Sequence, residues 1–146
     1  MEEFKDKNGN LDVDEKEALQ ELKKGYAEAE KMLQDVDKME RFLQRLEMKL
    51  KIVPLVGNKL AVVPIMASLL KSYIKKEYTD IPIGTIIAII SALIYFVSPI
   101  DIVPDSIPAL GYFDDAAVVA ACWLLVESDV NEYSTWREKH NKVLNI

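Results

Sequence analysis

Four aspartates are the residues of this chain best suited to chemistry. Asp101 and Asp105 stand four apart, and Asp114 and Asp115 close the same run, S-P-I-D-I-V-P-D-S-I-P-A-L-G-Y-F-D-D. Carboxylates gathered by a rigid loop can supply the oxygen ligands that a hard divalent cation such as Mg2+, Ca2+ or Mn2+ requires. Rigidity would come from Pro99, Pro104 and Pro108, which fix extended turns, and from Gly111, which can adopt a positive φ. A plainer use exists for the same residues. Asp101 and Asp105 can cap turns, while Asp114 or Asp115 caps the next helix and meets the positive end of its dipole. Catalysis lacks its parts, because no nucleophile is paired with a base and the single histidine, His140, lies in a polar tail. The chain reads as non-enzymatic.

Ser98, Pro99, Ile100, Asp101, Pro104, Asp105, Pro108, Gly111, Asp114 and Asp115 together fill every place of an S-P-I-D-x-x-P-D-x-x-P-x-x-G-x-x-D-D signature. In this the chain resembles the YkvA-like family, a domain-of-unknown-function family. The resemblance covers about Ile81 to Val126. It implies a small helical protein of a kind often expected in membranes, with no settled biochemical activity, and it lends no function to the first half of the chain.

The loop has to be positioned by the elements around it. Upstream, Ile81 to Ile100 is an uncharged, largely apolar run of twenty residues, which as a helix rises about 30 Å, the thickness of a bilayer's hydrocarbon core. Asp80 can cap that helix, with Pro82 in its first turn. Lys71, Lys75 and Lys76 precede it, so the positive-inside tendency predicts cytoplasmic-facing termini for a membrane hairpin. The rival reading is a bundle, cytoplasmic in location, whose central helix is apolar all round because other helices surround it. Ser91, Thr85 and Gly84 would allow close helix contact in either setting. Downstream, the apolar run from Ala116 to Val126 is too short to span by itself. It continues into an amphipathic half carrying Tyr133 and Trp136, either interfacial anchors or packing residues.

The first half of the chain reads differently. Leu19, Leu22, Tyr26, Ala29, Leu33 and Val36 recur at steps of three and four, and the series resumes at Met39, Leu43, Leu46 and Leu50 after two three-residue steps. This predicts one long amphipathic helix with a phase break. Its stripe can lie on the rest of the chain, zip through residues 19–50 against a second copy or a partner helix, or rest on a membrane. Asp37 with Arg41, and Glu47 with Lys51, are expected i,i+4 pairs. Before this helix, Asp6, Asn8, Asn10, Asp12, Asp14 and Glu17 match the ligand spacing of a calcium loop. Leu11 stands where that loop needs glycine, so a solvated tail is the better reading.

Charge segregation excludes some partners. All eighteen basic residues lie before Glu77 or after Trp136, and the stretch between holds nine acidic residues. Nucleic acid is not an expected partner, because phosphate neutralisation needs basic residues on the working face. The lone Cys122 cannot form an internal disulfide and reads as a small core or lipid-facing residue. The polar, acidic start shows no cleavable-signal pattern. The expected organisation is an acidic tail at 1–13, an amphipathic helix and linker at 14–58, and a YkvA-like helical domain at 59–146. The fold class is all-α, with helices near 14–51, 60–77, 82–98 and 114–142. The third should be the most buried and should run antiparallel to the last. The function this supports is membrane association with helix-mediated partner or self-association, with a cation-binding or cation-conducting protein as the alternative.

Overall fold

A computed structural model describes residues 13–52, 61–97 and 115–140 of the chain. Six helices account for nearly all of them: α1 (Val13–Lys24), α2 (Tyr26–Leu33), α3 (Val36–Ile52), α4 (Val63–Ile74), α5 (Ile83–Val97) and α6 (Asp115–Lys139). The fold is all-α, and no strand occurs among the described residues.

α5 is the axis of the bundle, and each of the other five helices packs against it. Its later turns are covered on every face, and Ala88 to Val97 are buried without a break. Ile86, Ile90 and Leu93 are 0% exposed. Burying each such side chain contributes roughly 1.5–3 kcal/mol, which outweighs the modest helix propensity of an isoleucine-rich segment. Thr85 meets Asp129 and Ala88 meets Cys122, so numbering rises along α5 as it falls along α6. The two helices are therefore antiparallel.

This packing bears on the expected transmembrane span. α5 has fifteen residues, a rise of about 22 Å against the roughly 30 Å of a hydrocarbon core. No described helix is long and apolar enough to cross a membrane. From Ala88 to Val97 the hydrophobicity of α5 is matched by enclosure in protein, while Ile83 and Gly84 in its first turn are exposed.

The stretch read as one long helix is divided in three. α1 and α2 meet at Gly25, and α2 and α3 meet at Gln34–Asp35, where the Asp35 carboxylate accepts a 3.0 Å hydrogen bond from the Lys38 backbone N–H as an N-cap. That second joint coincides with the phase break in the apolar series. Val36, counted in the stripe, is 73% exposed as a result. Most of the stripe lies on the rest of the chain: Leu22, Ala29, Met39 and Leu46 are buried, and Leu19, Tyr26, Leu33, Leu43 and Leu50 pack half-buried against the core. Ala18, Met32 and Phe42 are buried beside them.

Two helix ends have specific causes. α5 opens at Ile83, with the Pro82 carbonyl accepting bonds from Thr85 and Ile86, so the cap position falls on Pro82 and not on Asp80. Asp80 is displaced because the Ile81 N–H turns back onto the Thr79 carbonyl. α4 closes with a Schellman-type cap, in which the Glu77 N–H donates to the Ser72 carbonyl at 2.9 Å and the Lys76 N–H to Tyr73 at 3.0 Å. That cap places Lys76 at φ 63°, a conformation costing a non-glycine residue roughly 1 kcal/mol. Lys76→Gly is therefore expected to raise stability by about 1 kcal/mol, read as a higher urea midpoint at unchanged m-value.

Candidate functional site

The aspartates of the signature loop do not enter this geometry. Asp101, Asp105 and Asp114, with Ser98, Pro99, Pro104, Pro108 and Gly111, lie outside the described residues, and Asp115 is the first residue of α6. Asp6, Asn8, Asn10 and Asp12 also lie outside them, as do most linker positions between α3 and α4, while Asp14 and Glu17 belong to α1. Among the described residues no group of three or more His, Cys, Asp or Glu could hold a metal ion.

The described residues do contain three polar clusters between helices. Glu21, buried on α1, accepts a 2.7 Å hydrogen bond from the Tyr95 hydroxyl and pairs with Lys24 at 2.6 Å. Glu28 on α2 is equally buried and pairs with Lys38 across the α2–α3 joint. Between α4 and α6, the Tyr133 hydroxyl lies 2.7 Å from Ser68 Oγ and 2.9 Å from Ser72 Oγ. The arrangement of these groups is structural: each joins helices that the apolar pattern alone would leave free to slide.

Aromatic side chains continue from the third cluster. Tyr78 meets Tyr133 edge-on at 5.1 Å, and Trp136 stacks on Tyr133 at 5.9 Å. Trp136 is thus a packing residue between the α4–α5 link and α6. Burial pushes the Tyr78 hydroxyl's pKa up. Burial also pushes up the Cys122 thiol, whose Sγ donates to the Ala88 carbonyl at 3.4 Å, so this cysteine is an inert core residue.

Glu47 does not pair with Lys51 as the spacing suggests; its carboxylate accepts a hydrogen bond from Lys71 on α4. That bond holds the Glu47 carboxyl below its usual value of 4.5. A depressed folded-state pKa contributes stability above the unfolded value, and that contribution disappears as pH falls through the folded one. Glu47→Gln should therefore cost about half a kcal/mol near neutral pH, small because the pair is partly solvated. The deficit should begin to shrink as pH drops below about 4.5 and be gone below the depressed folded-state value, as measured by urea unfolding across that range.

The described residues also form a concave surface. α2 and α3 contribute Leu33, Val36, Met39 and Leu43, the end of α4 contributes Tyr73 and Ile74, and the α4–α5 link and α5 add Thr79 and Ile83, around an apolar groove of about 540 Å³. Such a volume suits a small ligand. Two of its side chains, Val36 and Ile83, are 73% and 53% exposed. Its only charged residues are Glu40 and Lys76, and Lys76 is the residue held at positive φ. Sequence reasoning missed this groove because it forms where the phase break turns α3 away from α2. The signal was the pair of three-residue steps on either side of Val36, where the apolar series changes phase.

Residues 85–121 match a protein family described as "Protein of unknown function (DUF1232)". A Bacillus subtilis (strain 168) protein named "Uncharacterized membrane protein YkvA" is 35% identical over 69 residues, which cover 47% of this chain and 65% of that protein. The YkvA-like resemblance read from the signature is borne out by both matches. No solved structure matches. The family segment runs from Thr85 on α5 to Ala121 in the first part of α6, and every residue lining the groove lies outside it.

Proposed function

Starting from this YkvA-like hairpin, we propose that the protein is a membrane-associated, non-enzymatic helical protein that meets the lipid surface with the face around its groove. The observation that carries the proposal is the pairing of solvent-exposed Val36 and Ile83 on one groove, beside the exposed lysines Lys75 and Lys76. Apolar side chains that enter the acyl boundary, next to amines that meet anionic headgroups, are what interfacial binding uses. The name of the Bacillus subtilis relative agrees with a membrane setting. This mode of attachment needs no spanning helix, which fits the enclosure of α5 by protein.

Flotation of the purified chain with vesicles tests it. The protein should rise with phosphatidylglycerol-containing vesicles and less with pure phosphatidylcholine, and Val36→Glu with Ile83→Glu should leave it at the bottom of the gradient. Both positions are exposed, so the variant should melt like the parent. Failure of the parent chain to float with either vesicle would overturn the proposal.

A further inference from the structure

We infer that the groove is a binding site for a single-chain fatty carboxylate, with the hydrocarbon lying between α3 and the end of α4 and the carboxylate held by Lys76. The inference rests on the groove being the working face proposed above, and it specifies the ligand.

Three features select that chemistry. The walls from Leu33, Met39, Leu43 and Ile74 are aliphatic or thioether surface, which offers a polar ligand nothing and desolvates a hydrocarbon chain. Lys76 makes no ion pair among the described residues. Its backbone is fixed by the hydrogen bonds that close α4, so the stem of the amine starts from a defined point. A lysine kept at φ 63°, where glycine would be strain-free, is an outlier of the kind that marks function. Thr79, on the same link and the same groove, adds a hydroxyl donor for the second carboxylate oxygen. Glu40 sets the charge of the head. As the groove's one other charged group it disfavours a second negative charge, so a monoanionic carboxylate fits better than a dianionic phosphate monoester.

The test is titration of the full chain with decanoate, decyl phosphate and decan-1-ol below their aggregation concentrations, followed by calorimetry, alongside the vesicle flotation. Decanoate should bind most tightly of the three. Lys76→Gly keeps the helix cap and should remain folded, yet it should weaken decanoate roughly tenfold, the loss of one charge-assisted hydrogen bond, while leaving decan-1-ol unchanged. Glu40→Gln should tighten decanoate and narrow its advantage over decyl phosphate. Equal decanoate affinity in the parent and Lys76→Gly would overturn the inference. So would vesicle binding without decanoate binding, an outcome that leaves the membrane proposal standing. Decanoate binding by a chain that never floats would support the inference and overturn the membrane proposal.

Discussion

Lys38→Met is expected to destabilise the protein by about 3 kcal/mol, far more than the loss of an ordinary surface lysine. Its partner Glu28 is 2% exposed, and with the ammonium gone the carboxylate would remain in the core with its charge uncompensated. Breaking a buried pair by removing one partner costs roughly 3–5 kcal/mol. Two features place this case at the lower end. The Lys38 side chain is itself 30% exposed, so water can follow it out, and Glu28 lies in the first turn of α2, where the helix dipole favours an anion. The double variant Glu28→Gln/Lys38→Met should recover most of the loss, because an amide in that place carries no charge. Urea unfolding of the two singles and the double closes a cycle whose coupling should be about 2 kcal/mol. A single-variant cost near a few tenths of a kcal/mol would show instead that the pair behaves like a solvated surface bridge. The pair spans the α2–α3 joint, so a strong coupling would also mean that the joint is fixed by charge as well as by the Asp35 cap.

Periodicity in the sequence carries the helices but not the joints between them. The apolar series from Leu19 to Leu50 follows the helical repeat closely enough to find the segment. The series covers only part of the buried face, however: Leu22, Ala29, Met39 and Leu46 are buried, while Leu19, Leu33 and Leu43 are only half-buried. Ala18, Met32 and Phe42, outside the series, are buried as deeply as its best members, because a core-facing stripe is wide and several registers fit inside it. The hydropathy of α5 was legible, but its cause was not. A helix apolar on all sides reads the same whether protein or lipid surrounds it, and only the packing of five helices on α5 decides between them. The buried glutamates were hidden for a related reason, since composition places carboxylates on the wet side. Glu21 and Glu28 are seven apart, so they share one helix face, which borders that of Leu22 and Ala29. Tyr95, in an otherwise apolar helix, needed a partner for its hydroxyl. Those two signals together point to the contact that the structure shows. The reading of small residues was right at Ser91 and wrong at Gly84, whose added Cβ would meet nothing within 4 Å. The aspartate cluster is a different matter, because its loop lies outside the described residues and its expectation stands on sequence alone.

Gly25→Ala should destabilise the protein by about 2 kcal/mol, although the substitution raises helix propensity by roughly 1 kcal/mol. Gly25 has φ −87° and ψ −4°, which any residue can adopt, so conformational freedom is not why glycine stands there. Space is the reason. A Cβ added at this position would fall well inside 3.0 Å of Ser91 Oγ on α5, closer than real Cβ atoms come. The hydroxyl would have to swing away from the Leu22 carbonyl, to which it donates at 2.6 Å, leaving a fully buried donor unsatisfied at a cost of roughly 1–3 kcal/mol. Crowding between α1–α2 and α5 adds about 1–3 kcal/mol more. These losses exceed the propensity gain. The partner substitution gives the argument its sharpest check, because Ser91→Ala removes the clashing atom and leaves Cβ 3.4 Å from the new methyl. Leu22 would still accept the 3.1 Å bond from the Gly25 position's N–H, so Ser91→Ala should cost only about 1 kcal/mol alone and should rescue Gly25→Ala to near the parent's stability. A neutral or stabilising Gly25→Ala would mean that α1 and α2 do not approach α5 this closely. That approach is what encloses the apolar axis, so such a result would return α5 to the helix that the sequence suggested, one with a face still in need of cover.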